Sequence, residues 1–445
     1  MNAKFNRLVI AAYRLPFKFE NIEGKLNVIQ NSGGLVSAVL ALSENFKRHR
    51  SEGDECKIAW AGISEDLPEN ITPRDLYNEH FDIIPVHIAQ ETNKLYYGGF
   101  CNDLIWPLFH YFPAYSVFNQ DYFEAYKVAN QAFCDELVKI IRPGDFVWVH
   151  DYQLMLLPQM LRQQIPDATI GFFLHIPFPS FEVFRLLPRP WREALINGIL
   201  GADMVGFHTN DYVQHFVKSV KRTSGCECRQ NVIYNHGRFV KADAFPIGID
   251  YEKFHDACMS SVAKEEKLKI KELINDQKLI FSVDRLDYSK GLLFRLKGFE
   301  TFLEKYRHWH GKVVFNMVVV PSRDTIEKYK EMKKEIESVV GRINGKYSTL
   351  AWRPIVYQYK SLNFHEMVAL YDMSDVGLIT PLRDGMNLVA KEYVACQIDN
   401  EGVLIISEMA GAAAELNEAI TINPADCNEM SNAILTALEM PTTEK

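Results

Sequence analysis

The stretch that decides the fold is Val376–Glu392, VGLITPLRDGMNLVAKE, in which a short apolar run passes through a loop into a helical period. The run Val376–Ile379 has no polar side chain, as expected for a parallel strand that is covered on both faces. The loop after it contains Asp384 and Gly385, and a helix is predicted to begin at about Met386. This stretch therefore predicts one strand–loop–helix unit of a doubly wound α/β domain.

The same pattern recurs on both sides of this stretch. Further strands are predicted at Leu8–Ala12, Phe146–Val149, Thr169–Leu174, Leu279–Val283, Val313–Val320 and Val403–Ile406. Helical periods are predicted at Tyr122–Ile141, Ala263–Leu273, Glu327–Val340 and Met430–Met440. A boundary fits at the segment FPIGID, Phe245–Asp250. We therefore expect two doubly wound, Rossmann-like α/β domains, at 1–245 and 246–445, with a cleft between them.

Length, composition and charge exclude several classes of protein. The chain has 445 residues, and a single hydrophobic core stops growing at roughly 250–300, so at least two domains are expected. It is 47% hydrophobic and 24% charged, which excludes disordered and low-complexity classes. There are 49 Lys and Arg against 57 Asp and Glu, a net charge of −8. That balance argues against nucleic acid as a partner, because general nucleic-acid binders carry a basic excess.

Cysteine usage and hydropathy predict a cytoplasmic protein. The eight cysteines are thinly spread, which favours a reduced protein over a disulfide scaffold. Cys226 and Cys228 lack the second pair that a zinc site needs, so no metal site is predicted. The apolar run at the N-terminus is too short for a signal peptide. No window approaches the ~18 apolar residues of a membrane span, so no membrane partner is expected.

Two loops in the second half have the composition of an anion site. In open α/β sheets, ligands bind beyond the carboxyl ends of the strands. The loop DRLDYSKG follows the strand at Leu279–Val283 and brings Arg285 and Lys290 together, which suits a diphosphate; surface ion pairing is the alternative. After Val376–Ile379, backbone amides at the predicted helix start would face an anion.

A carboxylate on the same predicted helix suits a ribose. Glu392 falls less than two turns beyond Met386 and can accept hydrogen bonds from a ribose diol. The alternative is that Asp384 is only a helix cap and Glu392 only a surface charge.

In the first half, polar residues also follow predicted strands. Arg14 follows the first strand, and Gly33-Gly34 ends the next loop, where amides could approach a phosphate; an ordinary loop and cap is the alternative. Asp151 and His175 follow two successive strands and could hold sugar hydroxyls. His175 could also donate a hydrogen bond near a reacting centre.

Two further features are ambiguous from the residues alone. Arg342, in GRINGK, is either a phosphate anchor or part of an exposed turn. The aromatic segment that contains Tyr97 and Trp106 either lines a carbohydrate pocket or belongs to the hydrophobic core.

The ordered set of motifs resembles the trehalose-6-phosphate synthase family, retaining glycosyltransferases of family 20 with the GT-B fold. The resemblance runs from about Arg7 to Leu438. It rests on YYGGFCNDLIWPLFHY at Tyr96, HDYQLMLLP at His150, GFFLHIPFPS at Gly171, RLLP at Arg185, LGADMVGFHTNDY at Leu200, FPIGID at Phe245, VDRLDYSKG at Val283, GRINGKY at Gly341, TPLRDGMNLVAKEYVA at Thr380 and SEMAGAAAEL at Ser407.

The resemblance implies transfer of glucose from UDP-glucose to glucose 6-phosphate, giving trehalose 6-phosphate and UDP. It implies that the N-terminal domain, 1–245, is the acceptor-binding domain and that the C-terminal domain, 246–445, is the nucleotide-sugar-binding domain. It implies a donor site formed by Gly34, His175, Arg285, Lys290, Asp384, Asn387, Leu388 and Glu392. It implies an acceptor site formed by Arg14, Tyr97, Trp106, Asp151 and Arg342. Among these, His175, Asp384, Arg285 and Lys290 are expected to take part in catalysis.

The resemblance also implies a mechanism. The leaving diphosphate is expected to help deprotonate the acceptor hydroxyl on the same face of the sugar, so no enzymic nucleophile is needed. No metal and no cofactor are expected, because cations and helix dipoles stabilise the diphosphate and UDP-glucose is a co-substrate.

Two other functions stay open at this level. One is a related glucosyltransferase with another phosphorylated acceptor, such as glycerol 3-phosphate. The other is a catalytically silent sugar-phosphate sensor, although the donor-site residues are all present. A homo-oligomer is a further expectation. Family members usually finish with a helix that crosses back to the first domain, so the natural chain is expected to continue, with a fused phosphatase domain as one candidate.

Overall fold

Short apolar runs form parallel strands in two separate regions of the chain. The computed structural model describes residues 6–22, 25–30, 36, 39, 57–63, 82–322 and 327–445. The chain divides into two units, Met1–Ile247 and Gly248–Lys445, and the division falls inside the FPIGID segment. Both units contain a largely parallel sheet with helices between the strands, so the predicted α/β class with two domains is confirmed.

The first unit contains a nine-stranded sheet and a separate hairpin. Its strands are β1 (Arg7–Arg14), β2 (Phe17–Ile22), β3 (Lys25–Gln30), β4 (Lys57–Ile63), β5 (Asp82–Val86), β6 (Asp145–His150), β7 (Thr169–Phe173), β8 (Met204–Phe207), β9 (Glu227–Arg229), β10 (Val232–Asn235) and β11 (Arg238–Ala244). The sheet has the order β5-β4-β1-β6-β7-β8-β11-β10-β9, and β2 and β3 form the hairpin. The β11–β10 and β10–β9 pairs are antiparallel, and the others are parallel.

Helices connect these strands. They are α1 (Gln90–Asn93), a π-helix (Lys94–Ile105), α2 (Trp106–Phe109), α3 (Gln120–Ile140), α4 (Leu157–Gln164), α5 (Phe181–Phe184), α6 (Arg189–Ile199) and α7 (Asn210–Ser224). Helix α3 begins where the Asn119 side chain accepts a hydrogen bond from the Asp121 amide, which satisfies one free donor of the first turn. It buries Tyr126, Phe133 and Leu137 on one face, as its helical period predicts.

The second unit contains a six-stranded parallel sheet with the order β14-β13-β12-β15-β16-β17. Its strands are β12 (Lys278–Arg285), β13 (Val313–Val320), β14 (Ile355–Tyr359), β15 (Val376–Ile379), β16 (Val403–Ser407) and β17 (Ile420–Ile422). Its helices are α8 (Tyr251–Met259), α9 (Ser261–Ile274), α10 (Leu292–Lys305), α11 (Glu327–Tyr347), α12 (Phe364–Met373), α13 (Leu388–Ala395) and α14 (Cys427–Glu439).

The strand order reverses once in the parallel part of each sheet. This reversal identifies where along each sheet a ligand is expected to bind. In the first unit the chain runs from β1 outward to β4 and β5 and then returns to β6 on the other side of β1. In the second unit β12 has the same position between β13 and β15. Ligands of doubly wound sheets bind at the carboxyl ends of the strands at such a reversal. Arg14 ends β1 and Arg285 ends β12, so both stand at these points.

Each strand predicted from an apolar run is present, because each lies inside a sheet that is covered on both faces. The edge strands β5, β9, β14 and β17 were not predicted, and neither were β4, β8, β10 and β11 inside the first sheet or the separate hairpin β2–β3. The polar stretch Arg222–Arg238 contains the end of α7 and then the hairpin β9–β10, whose exposed edge position does not require a continuous apolar run. The described residues include no helix that is both long enough and apolar enough to cross a membrane.

A buried ion pair ties the loop after β12 to the rest of the second unit. Arg295 of α10 is fully buried, and its Nη1 donates to Asp284 of β12 over 2.6 Å. The same guanidinium donates to Thr380 Oγ1 over 3.0 Å and to the Lys290 carbonyl over 3.2 Å. Burial raises the pKa of Asp284, and the charge of Arg295 opposes that shift. Arg295 therefore compensates the carboxylate and joins the loops that follow β12 and β15.

We predict that R295M destabilises the protein by about 3–5 kcal/mol, because it leaves the Asp284 carboxylate buried without its cation. Urea unfolding followed by circular dichroism measures the loss. The matched control is the double variant D284N/R295M, which removes both charges and should recover much of the stability. An R295M midpoint equal to that of the wild type would contradict this account.

Candidate active site

Three neighbouring parallel strands of the first unit end in histidines. His150 is the last residue of β6, His175 follows β7 by two residues, and His208 directly follows β8. His150 Nδ1 lies 3.0 Å from His175 Nε2, and the His175 and His208 rings meet edge to face at 5.5 Å. His208 was not among the predicted site residues because β8 was not predicted. Applying the strand-end rule to its short apolar run would have found it.

Within this cluster, the hydrogen-bonded pair of His150 and His175 is uncharged. Burial lowers the pKa of His150 to about 3. Burial also lowers the pKa of His175 well below its usual range, and His150 and His208 lower it further. Near pH 7 both rings are therefore uncharged. Each ring can donate one hydrogen bond and accept another, but neither adds positive charge to the site.

Asp151 holds a backbone conformation that costs free energy. Its φ is 74° and its ψ is 172°, a region that non-glycine residues rarely adopt. Its amide donates to the Phe173 carbonyl over 2.7 Å, and its Oδ1 accepts from the His175 amide over 3.1 Å. Strain of this kind persists only where the surroundings enforce it, and it is typical of functional sites. Asp151 and His175, which were predicted to follow two successive strands, are joined by this hydrogen bond.

Buried polar side chains enforce the turn that starts at Asp151. Tyr126 of α3 donates to the Tyr152 carbonyl over 2.8 Å and accepts from the Met155 amide over 2.8 Å. Tyr96 donates to the Gln153 carbonyl over 3.0 Å. Asn130, which is fully buried, donates to the same carbonyl over 3.1 Å and accepts from the Leu156 and Leu157 amides. These bonds satisfy backbone groups that would otherwise be buried without partners.

Arg14 and two tyrosines form a cation–aromatic cluster at the end of β1. The Tyr13 and Tyr97 rings stack at 4.1 Å with only 3° between their planes. The Arg14 guanidinium carbon lies 5.9 Å and 5.7 Å from the centres of these rings. Arg14 is exposed, and among the described residues it has no carboxylate partner. The predicted acceptor residues Arg14 and Tyr97 are thus brought together, with a guanidinium available to an anion.

The π-helix carries Tyr97, and Trp106 follows it. π-helical turns are rare and frequently occur at functional sites. Tyr97 is half-buried, whereas Trp106 is only 6% exposed and packs on His110 at 4.1 Å and on Tyr152 at 5.9 Å. The core interpretation of the aromatic segment therefore describes the packing of Trp106, while Tyr97 keeps an accessible face.

In the second unit, the loops that follow β12 and β15 meet through an ion pair. Lys290 Nζ lies 2.5 Å from Asp384 Oδ2, and Asn387 Nδ2 donates to the same oxygen over 3.0 Å. Gly291 has a φ of 68°, and a Cβ there would lie 2.7 Å from the Thr380 carbonyl oxygen, so the close approach of the two loops requires glycine. Arg285 is exposed at the end of β12.

The helix after this loop begins later than predicted. Helix α13 starts at Leu388 rather than at about Met386, and Asn387 is its N-cap, with its side chain accepting from the Ala390 amide. The alternative that Asp384 is merely the cap is therefore wrong. Asp384 is instead engaged by Lys290, and the Leu388 amide lies in the first turn, where free N–H groups favour an anion.

Glu392 lies on α13 in a half-buried position. Tyr371 of α12 donates to its Oε2 over 2.9 Å. Burial raises the pKa of Glu392, while the Tyr371 hydrogen bond and Lys253 lower it. The alternative that Glu392 is a surface charge is therefore wrong. Among the described residues no hydrogen bond is made to its Oε1, so that oxygen can accept from a hydroxyl pair.

The structure contradicts the predicted role of Arg342 as a phosphate anchor. It lies inside α11, not in a turn, and both guanidinium arms bind Glu300 of α10, at 2.5 and 2.7 Å. Helix α11 starts after β13 at the ligand edge, and Arg342 is fifteen residues beyond Glu327, about 22 Å at 1.5 Å per residue. Asn344 is bonded to Ile355 at the start of β14, the opposite edge of the sheet. The structure does not place Arg342 beside Arg285 and Lys290.

Two residues that bear on the site, Gly34 and Arg323, lie outside the part of the chain that the structure describes. Gly34 lies outside the described residues, so its predicted donor role stays a prediction. Arg323, three residues after the end of β13, also lies outside them; the strand-end rule would have selected it instead of Arg342. The described part of the chain contains no group of three or more His, Cys, Asp or Glu side chains that could hold a metal ion.

Curated proteins similar to this chain are named as trehalose-phosphate synthases. Alpha,alpha-trehalose-phosphate synthase (UDP-forming) A of Dictyostelium discoideum is 41% identical over 99% of this chain, which spans 58% of that protein. The Schizosaccharomyces pombe synthase is 43% identical over 99% of the chain and 85% of its own length. A bifunctional trehalose-6-phosphate synthase/phosphatase of Thermoproteus tenax is 42% identical over 99% of this chain and 60% of its length. The chain thus spans less than two thirds of two of these relatives.

Solved structures show the same likeness. A synthase from Burkholderia xenovorans in complex with glucose-6-phosphate has a TM-score of 0.87 and 34% identity, covering 98% of this chain and 93% of that one. An Escherichia coli protein bound with UDP-2-fluoro glucose has a TM-score of 0.88 and 32% identity, covering 98% and 92%. The sequence model described as Glycosyltransferase family 20 matches residues 6–445. This chain, with its two α/β units and strand-end clusters, therefore belongs to glycosyltransferase family 20.

Proposed function

We propose that this chain transfers glucose from UDP-glucose to glucose 6-phosphate with retention of configuration, giving α,α-trehalose 6-phosphate and UDP. The observation that carries the proposal is the junction of the two loops at the strand-order reversal of the second unit. There Lys290 is paired with Asp384, Arg285 is exposed, and Asn387 caps the N-terminus of α13. Cations and helix N–H groups together suit a diphosphate, and a carboxylate beside them suits a sugar.

The bond to be broken joins the anomeric carbon of the donor glucose to the diphosphate oxygen. Negative charge grows on that oxygen as the bond breaks, so Arg285, Lys290 and the Leu388 amide would stabilise the transition state more than the ground state. Glu392 would hold the ribose through its remaining acceptor oxygen. Asp384 Oδ2 is already engaged by Lys290 and Asn387, which argues against its use as a nucleophile.

The first unit offers the groups that the acceptor needs. Arg14 would bind the acceptor phosphate, since its exposed guanidinium presents a donor fork that matches phosphate oxygens. Tyr97 and Asp151 would bind the acceptor sugar, with a stacking face and a carboxylate respectively. His175, neutral and half-buried, would hold the donor glucose near the anomeric carbon.

The names of the relatives support this assignment of activity, and the two complexes support its two substrates. We also propose that no divalent metal is required, because Arg285 and Lys290 supply positive charge to the diphosphate. A cytoplasmic location is proposed from the seven free cysteines among the described residues. The homo-oligomer stays a prediction, as does the fused phosphatase domain, of which the Thermoproteus tenax relative is an example.

The purified protein is expected to release UDP from UDP-glucose only when glucose 6-phosphate is added, in the presence of EDTA, with a disaccharide phosphate detected by mass spectrometry. A matrix of nucleotide-glucose donors against phosphorylated acceptors, glycerol 3-phosphate included, measures this. Absence of product with every donor would contradict the proposal. UDP binding by calorimetry without any turnover would instead indicate a sensor.

We predict that Lys290→Ala lowers kcat/KM by about 10²- to 10³-fold, because a charge-assisted contact to the leaving group is lost. Arg285→Ala is expected to cost a comparable factor. The matched control is Lys278→Ala at the amino end of β12, where Lys278 pairs with Asp375 over 2.6 Å. Steady-state kinetics that show equal losses for the Lys290 and Lys278 variants would refute the assigned role.

The two arginines predicted for the acceptor phosphate should now behave differently. Arg14→Ala is expected to raise KM for glucose 6-phosphate by about tenfold or more, because a charged hydrogen bond to phosphate is removed. Arg342→Ala should change that KM by less than about twofold, as an exposed substitution far from the ligand edge. Initial rates at varied acceptor concentration measure both. A large effect of Arg342→Ala would restore its original assignment.

A further inference from the structure

His150 and His175 form a hydrogen bond whose donor and acceptor follow from the surroundings of the two rings. The two rings lie at the ends of neighbouring strands, and their register, with His150 opposite Phe173, makes them adjacent. Their nitrogens are 3.0 Å apart and their rings are inclined by 26°. His150 is only 1% exposed and contacts the Trp148 ring at 4.5 Å, so its side of the bond is shielded from solvent.

The hydrogen bond contains one proton. Because the low pKa of each ring keeps both imidazoles neutral, one ring must donate and the other must accept. If His150 donates from Nδ1, His175 accepts at Nε2 and must carry its own proton on Nδ1. If His150 accepts, His175 carries its proton on Nε2, and its Nδ1 has no hydrogen to donate.

The surroundings of the other nitrogen of His150 decide between these arrangements. His150 Nε2 is buried and has no hydrogen-bond partner among the described residues. A cavity of about 390 Å³ borders both histidines and is otherwise lined by apolar residues such as Trp148, Phe172 and Met204. A buried N–H without a partner is rarer in proteins than an under-satisfied acceptor. The arrangement without a hydrogen on His150 Nε2 is therefore favoured.

We infer that His150 is a positioning residue that donates its Nδ1 hydrogen to His175 Nε2 and so holds the proton of His175 on Nδ1. Among the described residues His175 Nδ1 makes no hydrogen bond, and the ring is half-buried rather than sealed. His175 is then a fixed N–H donor for a hydroxyl of the sugar that it contacts. The consequence for catalysis rests on the proposed function, whereas the position of the proton does not.

The first test is spectroscopic and needs no substrate. Long-range ¹H–¹⁵N correlation spectra of ¹⁵N-histidine-labelled protein at neutral pH distinguish the two neutral forms of each ring. His175 signals are assigned by their loss in H175Q. We expect His175 to be protonated on Nδ1 and His150 on Nδ1. A wild-type His175 that is protonated on Nε2 would overturn the inference.

The second test uses a matched pair of amides. An asparagine amide reaches the position of Nδ1, whereas a glutamine amide reaches that of Nε2. H150N should therefore keep the bond and stay within about threefold of the wild-type kcat. H150Q should lose the bond, and its kcat should fall about 10- to 100-fold. Losses of this size are typical when the hydrogen-bond partner that fixes the tautomer of a ligating histidine is removed. KM for UDP-glucose should change little in both, because the bond orients a donor rather than creating the binding site.

The outcomes separate this inference from the proposed function. Equal kcat for H150N and H150Q, whether both normal or both low with intact circular dichroism, would show that the Nδ1 bond has no positioning role. If the wild type transfers glucose to no acceptor, the proposed function fails, and the spectra still decide where the proton lies. If H150N does not fold, the wild-type spectra alone decide that question.

Discussion

The pairing of Lys290 with Asp384 is the constraint on which the second unit's site depends. The pair joins the loops that follow β12 and β15, the two strands on either side of the strand-order reversal. Beneath it, fully buried Arg295 bonds to Asp284, to Thr380 and to the Lys290 carbonyl, so the same two loops are joined a second time. A cation held this firmly loses little conformational freedom when a diphosphate arrives, and preorganised charge is what stabilises a leaving group.

The first unit differs from the second in the charge of the side chains at its strand ends. Its strand ends carry the neutral rings of His150 and His175 and the carboxylate of Asp151. The backbone of Asp151 is strained, and hydrogen bonds from buried Tyr126 and Asn130 hold the turn that it starts. Arg14 at the end of β1 contacts two tyrosine rings and, in the part of the chain that the structure describes, no carboxylate. Sugar hydroxyls need oriented neutral partners more than charge, whereas a phosphate needs a guanidinium, and both kinds of group stand at the end of β1 and its neighbours.

The sequence predicted those parts of the fold and site that follow from chain order alone. An apolar run buried on both faces marks a strand, and the residues after it lie at the ligand edge, which located Asp151, His175, Arg285 and Asp384. Side-chain pairing across distant segments has no such local signal, so the His150–His175 bond and the partners of Asp384 were not predicted. Arg342 was assigned wrongly because its motif does not reveal that its helix carries it to the other edge of the sheet.

A double-mutant cycle between Lys290 and Asp384 tests the central claim most directly. The kcat/KM values of K290A, D384A and the double variant give the coupling between the two side chains. If the pair organises the diphosphate and sugar contacts as one unit, the double variant should lose much less than the product of the single losses, with a coupling of about 1–3 kcal/mol. Losses that multiply independently would contradict the account.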